Sequence, residues 1–180
     1  MDNEVLESID GLNNLTSVNN SFYIYGNGIT GIDGMNNLST ISSSLEIKNN
    51  DSLTSINGLN GFTNSTTVSI YDNALLTTIG GFNGVSSMHR LSISTNNALS
   101  DINGFDDLAN LNFGFGIDNN PVLSTISGLG SLCSIGTNFS MEDNTELCTD
   151  VAEALRDQVQ NCSGGGISGT ITINNNKVCP

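Results

Sequence analysis

Positive charge is scarce in this chain. Lys48, Arg90, Arg156 and Lys177 are the only lysines and arginines in 180 residues, against 18 aspartates and glutamates, for a formal net charge of -14. Phosphate binding needs clustered Lys and Arg, and these four are scattered, which argues against nucleic acid and anionic membrane surfaces as partners. There is no apolar run of about eighteen residues, so no segment reads as a membrane-spanning helix. The opening Met1-Asp2-Asn3-Glu4 is not a signal peptide either, and the expectation is an exported protein whose signal has been removed. Catalytic vocabulary is equally thin. The one histidine, His89, stands beside Arg90 in a connecting segment, and no Gly-rich phosphate loop, paired histidines or nucleophile motif occurs. The reading is therefore of a non-enzyme without a cofactor.

What the chain does contain is asparagine, serine, threonine and glycine, together roughly half of all residues. Such composition borders on that of disordered chains, yet apolar residues recur at fixed intervals, which a disordered tract has no reason to show. At a period of 23 to 24 residues the sequence falls into register with itself. Each copy opens on Leu6, Ile29, Leu53, Leu76, Leu99, Leu123 or Leu147, and an aliphatic follows three residues later: Ile9, Ile32, Ile56, Ile79, Ile102, Ile126. Two residues further on stands a glycine, at Gly11, Gly34, Gly58, Gly81, Gly104 and Gly128. A glycine held at one phase marks either a bend of positive φ or a close backbone approach.

The second half of each copy reads apolar-x-apolar-x-x-Asn, the alternation of a strand with one buried face. Seven copies occur, from Phe22/Ile24/Asn27 through Leu45/Ile47/Asn50, Val68/Ile70/Asn73, Leu91/Ile93/Asn96, Phe115/Ile117/Asn120 and Phe139/Met141/Asn144 to Ile171/Ile173/Asn176. An asparagine at the corner after a strand can turn inward and bond backbone groups of its own and the neighbouring coil, a structural role. With no room for an ordinary helix in each repeat, the copies predict a solenoid of about six turns whose equivalent strands lie side by side in parallel sheets.

From Thr149 to Gln160 the spacing turns helical, with Thr149 or Asp150 available as the N-cap, and Ile171 to Asn176 reads as a capping strand. Residues 1–180 thus form one domain, with repeats over 6–146 and a C-terminal cap over 147–180. All four cysteines lie in the last third without CxxC spacing, which favours two disulfides over a zinc site. If the last strand is the next turn, Cys179 follows Asn176 as Leu147 follows Asn144, which brings Cys148 beside Cys179 and leaves Cys133 for Cys162. At the other end the apolar row Leu6, Ile9, Leu12, Leu15 and Val18 has no preceding coil, and further native sequence or a second copy is expected to cover it.

The phrase Leu53-Thr54-Ser55-Ile56-Asn57-Gly58-Leu59, with Ser44-Leu45-Glu46-Ile47-Lys48-Asn49-Asn50 before it, resembles the leucine-rich-repeat-like turns of receptor L domains over essentially Leu6 to Cys179. The Leu-Thr-Ser-Ile phrase is also similar to the surface repeats of BspA-like proteins, without their proline step. The resemblance implies a right-handed leucine-rich parallel β-helix, cysteine-closed at its end and used at a cell surface for recognition or adhesion. Ligand-contact residues of the receptors find no counterpart here.

Outward positions on the Asn-ended strands form three rows, and these hold the candidate ligand-binding residues. Tyr23, Tyr25 and Tyr71 with Lys48 make an aromatic N-terminal patch; Asp118, Glu142 and Asp143 make an acidic C-terminal one. Exposed tyrosines offer contact area and a hydroxyl at small entropic cost. Neighbouring coils bring the acidic residues close enough for a weak calcium candidate, although a solvated acidic face is the simpler reading and no metal is assigned. The expected function is non-catalytic extracellular binding of a protein or glycan through this face. The alternatives are a structural spacer in a larger surface protein and, more remotely, ice binding by the corner row Thr30, Thr54, Thr77, Ser100, Ser124 and Thr149, whose neighbours Glu7, Asp101 and Asp150 interrupt it.

Overall fold

A computed structural model describes residues 3–64 and 66–179. The chain winds into an all-β parallel solenoid of about five turns with one short helix near its C-terminus. This is fewer than the six turns expected; in the first coil Gly11 to Asn14 are exposed, and a 3-10 turn occupies Asp10–Leu12.

All seven copies of the alternating pattern become strands of one parallel sheet, Phe22–Tyr25, Ser44–Lys48, Thr67–Tyr71, Arg90–Ser94, Phe115–Asp118, Phe139–Glu142 and Ile171–Asn174, in sequence order across the face. The register repeats without slip, so Ile24, Ile47, Ile70, Ile93, Ile117, Met141 and Ile173 form one inward column. The Leu-Thr-Ser-Ile phrase supplies a second wall, with Ser55–Ile56, Thr78–Ile79 and Asp101–Ile102 paired in parallel. A third wall consists of Ser87–Met88, Asn110–Leu111, Ser134–Ile135 and Gly166–Ile167, with Ser17–Val18 paired to Thr40–Ile41 as a separate piece. Between the walls the aliphatic rows are fully buried from Ile29 to Leu147, and Phe62, Phe82 and Phe105 run down the axis, the last two stacked at 4.8 Å. In the first coil the same rows are only partly covered, and Leu12 is 38% exposed.

The asparagine column forms a buried ladder. Asn73 Nδ2 donates to the carbonyls of Tyr71 in its own coil (3.0 Å) and Ile47 in the preceding one (3.1 Å), while its Oδ1 accepts from the Asn50 backbone N–H at 3.2 Å. Asn50, Asn96 and Asn120 repeat the same three contacts, and all are fully buried. The residue before each ladder asparagine takes a left-handed conformation, with φ between 52° and 65° at Gly26, Asn49, Asp72, Thr95, Asn119, Asp143 and Asn175. The glycine column settles differently. A Cβ on Gly58, Gly81, Gly104 or Gly128 would strike a carbonyl oxygen of the preceding coil, so close approach requires glycine there. The positive φ falls instead on the next residue at Leu59, Phe82 and Phe105.

The helix runs Thr149–Gln160 and buries Ala152, Leu155 and Val159. Its N-cap is Cys148, whose sulfur is held in a disulfide and makes no capping bond, rather than Thr149 or Asp150; the Thr149 hydroxyl donates to the Lys177 carbonyl of the last coil. Both disulfides form as the register implies, Cys133–Cys162 with Cα atoms 5.4 Å apart and Cys148–Cys179 at 5.5 Å. Each closes a loop of about thirty residues, so Cys148→Ser/Cys179→Ser should lose about 3 to 4 kcal/mol in denaturant unfolding relative to the oxidised parent. No loss would mean that the final strand holds without its tether.

Candidate functional site

The seven-stranded sheet presents its outward side chains in register. Tyr25, Lys48, Tyr71, Ser94, Asp118, Glu142 and Asn174 are direct neighbours along one row, and Tyr23, Glu46, Ser69, Ser92, Gly116, Ser140 and Thr172 along the next. Adjacent strands lie about 4.8 Å apart, so side chains in one row touch across coils. Parallel pairing therefore brings the predicted aromatic patch together: Lys48 Nζ sits 5.5 Å from the Tyr25 ring centroid and 5.4 Å from that of Tyr71, a cation held between two aromatic faces. Tyr23 stands beside them on the second row, 59% exposed.

Glu46 completes this cluster, a residue absent from the sequence-based candidates. Its Oε1 receives Lys48 Nζ at 2.6 Å and the Tyr71 hydroxyl at 2.7 Å. The Tyr71 contact runs diagonally across two rows, a neighbour relation that long side chains can reach in a sheet but that row-by-row reading passes over. The hydrogen bond from Lys48 and then that from the Tyr71 hydroxyl hold the Glu46 carboxyl below the usual range. The Glu46 carboxylate in turn raises the Lys48 ammonium, and partial burial raises the Tyr71 phenol.

These directions fix the pH behaviour. A depressed carboxyl contributes fully above its unfolded value and is lost as pH falls through its folded one; a raised ammonium contributes fully below its unfolded value and is lost as pH rises through its folded one. The cluster should therefore stay closed from about pH 5 to about pH 9, given ordinary values of ~4.3 for Glu and ~10.4 for Lys. In an NMR titration, Tyr71 ring signals should hold through that range and move together with Glu46 below it, and Glu46→Gln should abolish the acid step. Tyr71 signals that ignore the Glu46 titration would show the two to be unconnected.

The acidic end is arranged differently. Asp118 and Glu142 are register partners, but Asp118 Oδ1 accepts from Ser140 Oγ at 2.7 Å and from the Glu142 backbone N–H at 3.0 Å. Glu142 Oε1 accepts from Asn174 Nδ2, and Asp143 Oδ1 from Asn175 Nδ2 at 2.7 Å. Each of the three carboxylates thus accepts from the protein's own donors through at least one oxygen, and no group of three metal-ligating side chains able to hold an ion occurs among the described residues. At the neighbouring corner, the hydroxyls of Thr54, Thr77, Ser100 and Ser124 donate to the carbonyls of Thr30, Thr54, Thr77 and Ser100. Those hydroxyls lace successive coils together.

No helix among the described residues is long and apolar enough to cross a membrane. Comparison with protein-family models, curated proteins and solved structures finds no match.

Proposed function

We propose that this chain is a non-catalytic recognition or adhesion module of the extracellular space or cell surface, binding a protein or glycan through the outward face of its seven-stranded sheet. The Leu-Thr-Ser-Ile-Asn-Gly phrase supports placing it with receptor L domains and surface leucine-rich repeats. Two disulfides, one within the C-terminal cap and one tying it to the last repeat, support an oxidising compartment. The single observation that carries the binding reading is the clamp of Lys48 between Tyr25 and Tyr71 over Glu46: four polar and aromatic side chains pre-set on rigid strands, two of them tyrosines. Side chains already held in place lose little freedom when a partner docks, so such a patch favours association.

The test is binding to a broad panel of glycans and cell-surface proteins by the parent and by Tyr25→Ala/Lys48→Ala/Tyr71→Ala. The replaced side chains lie on the outer face rather than in the core, so the variant should melt within a few degrees of the parent while losing its hits. A variant that binds as the parent does would remove this patch from the reading and favour a spacer or another face.

A further inference from the structure

The middle of the same face carries a second feature. At strand Phe115–Asp118 the outward residue is Gly116, and the outward residue just before the strand is Gly114, so two missing side chains leave a depression of about 240 Å³ in the sheet. Ser92 and Ser140 flank Gly116 in register. Arg90 lies across Gly114, with Nη1 3.2 Å from where a Cβ would stand, and Asp118 folds back until Oδ2 is 3.1 Å from the equivalent point on Gly116. Both side chains line the dent, and they form no ion pair with each other among the described residues.

Arg90 is unusual among the cations. Lys48, Arg156 and Lys177 each hold a carboxylate within the protein, whereas Arg90 has neither an ion pair nor a hydrogen bond from its side chain among the described residues. In a chain of net charge -14 an arginine left unpaired on a rigid sheet keeps all its donors for something else. Asp118 Oδ2 likewise accepts no hydrogen bond among the described residues, its Oδ1 taking the bonds from Ser140 and Glu142.

We propose that this depression binds one neutral pyranose unit of a glycan. The lining contains one positive and one negative side chain, so it carries no net charge, and it offers donors at one end, an acceptor at the other and serine hydroxyls between. A neutral sugar ring has donors and acceptors around its whole edge and spans such a gap with a hydrogen bond at each end. An acidic saccharide would meet Asp118 inside the site and a strongly negative protein around it. This inference rests on the recognition reading and narrows it to a sugar at a position separate from the tyrosine clamp.

The experiment is a titration of the isotopically labelled chain with neutral gluco-, manno- and galacto-oligosaccharides and, in parallel, with oligomers of a hexuronic acid, followed by amide and Arg side-chain NMR. At least one neutral series should shift Gly114, Gly116, Ser140 and the Arg90 Nε signal. Arg90→Gln should weaken that binding by about tenfold, as loss of hydrogen bonds from a charged donor implies. Gly116→Val, which fills the dent against the movable Asp118 side chain and suits a strand, should abolish it while the remaining spectrum stays that of the folded chain. Three results would overturn the inference: no neutral series shifting these residues, binding by uronate oligomers alone, or Gly116→Val binding as well as the parent. Sugar binding that maps to Tyr25 and Tyr71 with Gly116 silent would also overturn it, but would leave the recognition reading standing.

Discussion

Asn73→Ala should destabilise the solenoid by about 4 to 6 kcal/mol, and Asn96→Ala by a similar amount. Asn73 is fully buried, and removing its side chain takes the partner from the Asn50 N–H and from the carbonyls of Tyr71 and Ile47. Each buried polar group left without a partner costs about 1 to 3 kcal/mol, and water cannot enter a stack sealed by coils on both sides. The ladder also links successive coils, since Asn73 Nδ2 donates to Asn96 Oδ1 at 3.2 Å, so damage in one coil weakens its neighbours. Thr77→Ala, in the exposed hydroxyl row, provides the contrast: its single bond to the Thr54 carbonyl is open to water, and the loss should stay below about 1 kcal/mol. Denaturant melts of the two variants should differ severalfold in their shift. Equal shifts would mean that water substitutes for the asparagine amide.

Gly81→Ala should cost more than about 4 kcal/mol or prevent folding, the range reserved for changes the structure cannot absorb. The added Cβ would drive into the carbonyl oxygen of Gly58, and the oxygen of Gly81 itself lies where a Cβ on Gly104 would stand. Both obstacles are backbone, so no rotamer change relieves them, and separating two coils there would break the parallel pairing on every side. Gly11→Ala is the matching control. It occupies the same phase of the repeat, but nothing lies within 4 Å of its Cβ position, so its stability should change by no more than about 0.5 kcal/mol. The pair isolates coil-to-coil contact from any intrinsic preference for alanine or glycine, and thermal melts of both variants read it directly.

The fold was legible because its determinants are periodic. A strand whose inward residues recur every second position, followed by an inward asparagine, can stack only one way if every copy is to bury the same rows, and the structure keeps that register from Phe22 to Asn174. The cysteine pairing followed from the same register. The glycine column left two explanations open, since sequence cannot say whether a glycine is needed for its φ or for its missing Cβ; the carbonyl of the preceding coil decides it. The helix cap falls on Cys148 rather than on Thr149 or Asp150, and the Thr149 hydroxyl bonds as the last of the corner row.

The site was legible in outline only. Row assignment places Tyr25, Lys48 and Tyr71 side by side, but the diagonal from Tyr71 to Glu46 depends on side-chain reach rather than on register. Register places Asp118 beside Glu142, yet one oxygen each of Asp118, Glu142 and Asp143 accepts from Ser140, Asn174 and Asn175, donors that belong to other rows or to the cap. The depression at Gly114 and Gly116 lay outside the reading altogether. A glycine in a strand looks like a weak point in sequence, and only an arginine beside it that has no partner among the described residues gives it another meaning.

The central claim is that the sheet face recognises a partner. Its most direct test is the binding of the purified, disulfide-intact domain to immobilised glycans and cell-surface proteins, run once with calcium and once with a chelator. The account predicts at least one reproducible hit of equal strength in both arms, since no group of three metal-ligating side chains able to hold an ion occurs among the described residues. A clean blank from a sample shown to be folded would contradict it and make the domain a spacer.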